Sequence, residues 1–216
     1  GSDGRDVAPF PVRDADGRPC EPPFLGGFNT PRPQFVDIDG DGDSDLFVQE
    51  RSGAVMFFEN TGAPGEPELT WRTDRDRDLD VGEWFRFADL NQDGLPDLLA
   101  EQPYSYVRYY RNEGTTGAPE FVPAVDSLKD AGGEAIFSDR QNIPNVVDID
   151  CDGRLDLFIG RLDGTVMRYE ATERDAEASR FALVTRRFED IEIVGQIGTL
   201  HGANTLTFAD IDGDGD

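Results

Sequence analysis

Histidine, lysine, methionine and cysteine are nearly missing from this chain. Its 216 residues include one histidine (His201), one lysine (Lys129), two methionines and two cysteines (Cys20 and Cys151). A Ser-His-Asp or Cys-His nucleophile would have to use that one histidine, and no G-x-S-x-G segment is present to supply a serine. His201 therefore reads as a residue lining a strand or turn. P-loop and G-x-G-x-x-G fingerprints are also missing, so nothing points to a nucleotide cofactor. Two cysteines are too few for a disulfide scaffold or a zinc site, which leaves them as one bridge or two thiols. Positive charge is scarce: 20 Lys and Arg stand against 45 Asp and Glu, for a net charge of −25. That balance argues against nucleic acid and anionic membrane surfaces as partners, and it suits cation binding. No apolar run approaches the ~18–20 residues that cross a bilayer. The N-terminus shows no signal-peptide pattern, and Gly1-Ser2 reads as a cleavage scar or a mature end.

What is present is glycine (24), proline (14) and phenylalanine (15), with 37% hydrophobic and 30% charged residues. The aromatic content fits a packed core rather than a disordered acidic tail. The glycine and proline content fits many short strands joined by tight turns.

Four acidic segments organise the chain: FVDIDGDGDSDLFV at 35–48, FADLNQDGLPDLLA at 87–100, VVDIDCDGRLDLFI at 146–159 and FADIDGDGD at 208–216. Their first aspartates, Asp37, Asp89, Asp148 and Asp210, are 52, 59 and 62 residues apart. A period of this size marks one supersecondary unit used several times. Each complete motif runs into an apolar strand (46–48, 98–100, 157–159), followed by a second strand, AVMFFENTG, YVRYYRNEG or TVMRYEATE. A weaker fourth element follows, PELTWRTD, PEFVPAVD or SRFALVTR, while ATERDAEASR is polar on every side and reads as a loop. About four short antiparallel strands per unit predict an all-β fold, a β-propeller of four-stranded blades. A tandem solenoid of hairpins is the alternative. The predicted blades are 31–82, 83–141 and 142–203, with 204–216 opening a fourth. Residues 1–30, rich in Pro and Gly, either cap the first blade or form a disordered leader.

The spacing inside the motif has a chemical meaning. Positions 1, 3, 5 and 9 are Asp37, Asp39, Asp41 and Asp45 in the first copy. They are Asp89, Asn91, Asp93 and Asp97 in the second, and Asp148, Asp150, Asp152 and Asp156 in the third. The fourth copy supplies Asp210, Asp212, Asp214 and Asp216, with Asp216 at position 7. Glycine at position 6 (Gly42, Gly94, Gly153) permits a sharp turn at positive φ. Position 7, which varies between Asp43, Leu95 and Arg154, is expected to offer its backbone carbonyl. An all-oxygen shell of about six or seven ligands suits Ca²⁺ better than Zn²⁺ or a redox metal. An EF-hand is excluded, because position 12 is Val48, Ala100 or Ile159 inside a strand and not a glutamate between helices. Asp-rich surface turns are the plain alternative, but three complete copies in register argue against them. Without a cation the carboxylates would repel one another, so calcium is expected to be structural, its binding energy adding to folding.

FVDIDGDGDSDLFV with the downstream FFENTG resembles the FG-GAP/VCBS repeat of integrin α-subunit propellers and of many secreted bacterial proteins. The resemblance covers most of residues 31–216. It implies a calcium-bearing propeller, commonly of about seven blades, with each calcium loop joining two strands of one blade. It also implies an extracellular setting, secreted or at the cell surface, and a role in adhesion, as a lectin, or as an accessory domain of a polysaccharide-degrading enzyme. Three units and the start of a fourth predict a partial propeller. The chain is then a piece of a longer protein, or its open sheet edges are covered by a second copy.

The leading expectation is a non-enzymatic module that binds a glycan or protein ligand, without nucleic acid and without membrane insertion. One competing class is a propeller of a secreted polysaccharide lyase or hydrolase using a carboxylate pair. Another is a structural surface subunit that self-assembles into homo-oligomers through its edges. Trp71, Trp84, Phe85, Tyr104, Tyr106, Tyr109 and Tyr110 read either as core filler or as platforms for sugar rings. In PYSYVRYY, alternation puts Tyr104 and Tyr106 on one strand face, with Arg108 and Arg111 near enough to hydrogen-bond a ligand. Tyr104, Tyr106 and Arg108 are thus the candidate ligand contacts.

Overall fold

A computed structural model describes residues 11–20, 28, 30–49, 53–63, 65–74, 76–79, 81–138, 142–173, 180–193 and 205–208. The fourth acidic segment's Asp210, Asp212, Asp214 and Asp216 lie outside the described residues, as do His201 and most of ATERDAEASR. The described chain forms three four-stranded antiparallel sheets, each a plain meander in sequence order. The first holds β1 (Arg32–Val36), β2 (Asp45–Gln49), β3 (Val55–Asn60) and β4 (Leu69–Thr73). The second holds β5 (Phe85–Ala88), β6 (Asp97–Gln102), β7 (Tyr106–Asn112) and β8 (Phe121–Val125). The third holds β9 (Asn145–Val147), β10 (Asp156–Gly160), β11 (Val166–Ala171) and β12 (Phe181–Thr185). Two single 3₁₀ turns are the only helical elements among the described residues, and neither is long and apolar enough to cross a membrane.

The second strand of each sheet explains how the sheets stack. β10 is buried along its whole length, and β6 is buried from Asp97 to Glu101. Within them Leu98–Ala100 and Leu157–Ile159 are continuous apolar runs, as strands covered on two faces should be. Alternate residues then serve different cores. Leu98 and Ala100 join Phe47, Val55, Val81 and Phe85 between the first two sheets. Leu99 points the other way and joins Leu157, Ile159, Met167 and Phe181 between the second and third. On the far face of β10, Phe158 meets Phe188 and Phe208 with ring centroids 4.9 and 4.6 Å apart. The sheets therefore pack face to face, as successive propeller blades do. Each fully buried Leu or Phe contributes about 1.5–3 kcal/mol.

Polar stitches tie the first strand of each sheet to the next unit. Gln34 of β1 donates to the Phe85 carbonyl and accepts from the Phe87 N–H at 3.1 Å. Arg86 of β5 donates to the Pro144 carbonyl at 3.1 Å, and Asn145 of β9 to the Leu206 carbonyl at 3.1 Å. All three sheets also share one irregularity, a register shift where the third strand meets the fourth, at Phe57/Phe58, Tyr109/Tyr110 and Arg168/Tyr169. A bulge recurring at one position belongs to the unit's design and sharpens the twist of its outer edge.

Two expectations are refined by the fold. Tyr104 is not on a strand. It sits in the β6–β7 turn at φ +79°, so it shares no strand face with Tyr106. No disulfide joins Cys20 and Cys151.

Candidate metal centres

Each acidic loop fills the turn between the first and second strands of a sheet. Position 1 follows directly on β1, β5 or β9, and position 9 is the first residue of β2, β6 or β10. Strand pairing fixes the mouth of each loop, with Val36 opposite Asp45, Ala88 opposite Asp97 and Val147 opposite Asp156.

The position-1 carboxylate folds the loop over itself. Asp37 accepts from the N–H groups of Gly40 (2.7 Å) and Gly42 (3.0 Å). Asp89 accepts from Asp93 (3.0 Å) and Gly94 (2.8 Å), and Asp148 from Asp152 (3.1 Å) and Gly153 (2.8 Å). The position-5 carboxylates of Asp41, Asp93 and Asp152 each accept from the N–H at position 7, at 3.1, 2.9 and 2.9 Å. A carboxylate has about four lone-pair sites, so these bonds leave capacity for a further partner. Gly42, Gly94 and Gly153 have φ of +95°, +90° and +85°, as the turn at position 6 requires. Position 4 is left-handed too: Gly40, Gln92 and Cys151 lie at +72°, +55° and +56°. Sequence reasoning missed that second turn, because only one of the three complete copies has glycine there.

The position-9 aspartates differ from the rest of the loop. Asp45, Asp97 and Asp156 are 1%, 0% and 0% exposed. One oxygen of Asp45 accepts from the Asn60 N–H at 2.7 Å, and one of Asp97 from the Asn112 N–H at 2.8 Å. In the third sheet the Ile149 N–H at position 2 bonds Asp156 Oδ2 at 3.2 Å. A further contact to the carboxylate differs from sheet to sheet, set by one register position on the third strand. Phe57, Tyr109 and Arg168 occupy that position, paired with Phe47, Leu99 and Phe158. The Tyr109 hydroxyl donates to Asp97 at 2.9 Å, and Arg168 Nε donates to Asp156 at 2.7 Å. Phe57 has nothing to donate, and Asp45 Oδ2 is buried without a hydrogen-bond partner.

Electrostatics follow these contacts. Burial pushes the Asp45 carboxyl up to about 6, against the pull of the nearby Asn60 and Ile38 N–H groups and with Asp39 and Asp41 adding repulsion. Burial also raises Asp97, against the pull of its hydrogen bonds to Asn112 and Tyr109. Asp39 and Asp43 are raised, chiefly by desolvation and then by neighbouring aspartates. The third loop shows the opposite sign: a hydrogen bond from Arg154 holds Asp152 below the ordinary carboxylate range. There, Arg168 bonds Asp150 at 2.6 Å as well as Asp156, and Arg154 pairs with Glu170 at 2.6 Å. None of Asp37, Asp39, Asp41, Asp43 and Asp45 has an arginine or lysine partner among the described residues.

The structure brings together Asp37, Asp39 and Asp41, each with an oxygen within 4.8 Å of the others. It does the same for Asp148, Asp150 and Asp156, and for Asp150, Asp152 and Glu170. The second loop has no such trio of acids among the described residues, since Asn91 supplies an amide oxygen at position 3. The first loop fits a hard cation: its donors are all oxygen, and Asp45 Oδ2 and Asp43 Oδ1 are buried without partners. Glu170, Arg168 and Tyr109 were missed by sequence reasoning, because their place at the loop depends on strand register. The candidate ligand contacts lie elsewhere: Tyr104 is 79% exposed, Tyr106 stands edge-on to Phe137, and Arg108 pairs with Asp126 at 2.9 Å.

Comparison with known proteins agrees with this geometry. Integrin alpha-4 of Xenopus laevis is 29% identical over an alignment of 143 residues that covers 58% of this chain and 13% of the integrin. The chain thus spans a small part of that relative's length. No solved structure matches it. The sequence profile of the FG-GAP-like repeat matches residues 37–100 and 89–159, two overlapping stretches that each run from one acidic loop to the strand after the next. This chain belongs to the FG-GAP-like repeat family.

Proposed function

We propose that the chain is a calcium-stabilised segment of an extracellular propeller, secreted or displayed at the cell surface, which binds its ligand without transforming it. One observation carries the calcium reading: Asp45 Oδ2 is buried, lacks a hydrogen-bond partner and belongs to the loop where Asp37, Asp39 and Asp41 converge. A buried carboxylate with an open oxygen is costly unless a cation meets it. In the first loop Asp37, Asp39, Asp41 and Asp45 would hold Ca²⁺, with the Asp43 carbonyl. In the second, Asp89, Asn91, Asp93 and Asp97 would do so with the Leu95 carbonyl. When bound, the ion supplies positive charge and a fixed coordination shell that locks the first two strands of the sheet together. Likeness to an integrin subunit supports a protein ligand, and adhesion as the setting. Tyr104, an aromatic tip held out by the β6–β7 turn, is the candidate contact.

The test has two parts. Thermal melts in millimolar Ca²⁺ and in EDTA should show a higher Tm with calcium, and Asp39→Ala should shrink that difference. Arrays of purified extracellular proteins and of glycans, probed in both buffers, should show calcium-dependent binding to a defined class. An identical melt in Ca²⁺ and EDTA would overturn the calcium reading.

A further inference from the structure

We infer that the third loop carries its own cation: the Arg168 guanidinium stands where the first two loops take calcium, so the three loops are not equivalent metal sites. The inference rests on the reading that the first two loops bind Ca²⁺. Phe57, Tyr109 and Arg168 are equivalent residues of β3, β7 and β11, each paired with the residue two beyond position 9. Side chains two apart share a face of a strand, so this residue lies beside the position-9 carboxylate in every sheet. In the first sheet it is a hydrocarbon ring with nothing to donate, and Asp45 Oδ2 is open. In the second it is a neutral hydroxyl bonded to Asp97. In the third it is a full positive charge, only 14% exposed.

That charge is spent inside the loop. Arg168 Nε donates to Asp156 at 2.7 Å, and its Nη2 donates to Asp150 at 2.6 Å and to Glu170 at 3.4 Å. Asp148, Asp150 and Asp156 are one of the two acidic clusters of this loop, so the guanidinium bridges two of its three members. Arg154 does the same for the second cluster, donating to Asp152 at 2.9 Å and pairing with Glu170 at 2.6 Å. Asp148, the remaining member, accepts from two loop N–H groups as Asp37 and Asp89 do, so the two arginines are what set this loop apart. A calcium ion binds carboxylate oxygens at about 2.3–2.6 Å. Here it would have to displace a charge-assisted, bidentate-capable guanidinium from a largely buried position and then sit beside it. The donor set suits calcium, but the charge balance does not. The third blade should accordingly stay closed when calcium is removed.

Calcium stoichiometry by equilibrium dialysis on the full chain tests this, read as differences from the unmodified protein so that sites elsewhere cancel. Asp39→Ala in the first loop should lose one ion. Asp150→Ala, the same position in the third loop, should lose none, and Arg168→Tyr, which installs the second sheet's residue, should gain one. Loss of an ion from Asp150→Ala would overturn this inference and leave the calcium reading standing. No loss from Asp39→Ala, with no bound calcium in any variant, would overturn both. Hydrogen exchange of the unmodified chain gives a readout that does not depend on Arg168→Tyr folding. Amides 148–156 should exchange equally in Ca²⁺ and EDTA while amides 37–45 exchange faster in EDTA. Calcium-dependent protection of 148–156 would overturn the inference.

Discussion

The Tyr109 hydroxyl donates to a buried oxygen of Asp97 at 2.9 Å, joining the third strand of the second sheet to the last position of its acidic loop. The same oxygen accepts from the Leu90 N–H at 3.1 Å, at position 2 of the loop. Tyr109 thereby ties the core between two sheets to the geometry of a candidate metal site. Tyr109→Phe keeps the ring and removes one hydrogen bond to a charged, buried acceptor, a change worth about 1.5–3 kcal/mol. The expected result is a lower urea midpoint in EDTA. Calcium should recover part of the loss, because a bound ion meets the oxygen that the hydroxyl leaves. Equal losses in both buffers would separate Tyr109 from the metal site.

The pH response of the calcium-free protein should run against the usual direction. Asp45 is raised to about 6 in the folded chain by burial, with nearby aspartates adding to it, against about 3.9 when unfolded. The native state therefore binds more protons between those two values, and stability rises as pH falls through that window. Asp39, Asp43, Asp76 and Asp97 shift the same way, chiefly through desolvation. Asp152 and Asp163 shift the other way through hydrogen bonds, so they give stability that is lost at lower pH. The urea midpoint in EDTA should climb between pH 7 and pH 5. In Ca²⁺ it should fall over the same range, since protons compete with the ion for Asp45. A midpoint that falls in both buffers would contradict the buried, open carboxylate.

Glycine is required at two turns for space. A Cβ on Gly62 would lie 2.2 Å from the Glu66 carbonyl oxygen, and one on Gly114 would lie 2.2 Å from that of Ala118. Both turns are closed by an asparagine ending the third strand. Asn60 accepts from the Gly62 and Glu68 N–H groups, and Asn112 from those of Gly114 and Glu120. Gly114→Ala must push the turn open, at a cost of about 1–3 kcal/mol. For a chain of this size that amounts to roughly 2–4 °C in Tm for each kcal/mol. An unchanged melting curve would show that the turn relaxes freely.

Much of the fold was legible in the sequence. The run from Leu98 to Ala100 predicted a strand, and the structure buries it on both faces between two cores. The loop spacing located Asp37 through Asp45 between paired strands, because alternating carboxylates and a glycine at position 6 encode a local turn. What could not be read was anything that depends on which residue faces which across a sheet. Arg168 reads in TVMRYEATE as an ordinary strand arginine, and only its pairing opposite Phe158 brings it onto Asp156. Tyr104 shows the converse limit. Alternation with Tyr106 suggested one strand face, but the hairpin turns between them, with Ser105 also left-handed at φ +71°.

Ligand binding can be tested at the β6–β7 turn. Tyr104 is 79% exposed, so its ring gains little from folding, and Tyr104→Ala should leave the melting curve unchanged. Tyr106 stands edge-on to Phe137 at 5.9 Å, and the two residues also form a β-bridge that pins the 128–138 segment. Tyr106→Ala should therefore destabilise the fold before it says anything about a ligand, by about 0.5–1.5 kcal/mol for the ring pair in addition to lost burial. Arg108 is held by Asp126 and by the Tyr110 hydroxyl at 3.3 Å, which leaves it a supporting part in recognition. If the β6–β7 turn is the contact surface, Tyr104→Ala should abolish calcium-dependent binding on the arrays at unchanged Tm. Binding that survives Tyr104→Ala at full strength would remove this turn from the ligand site and direct attention to the other loops on that rim.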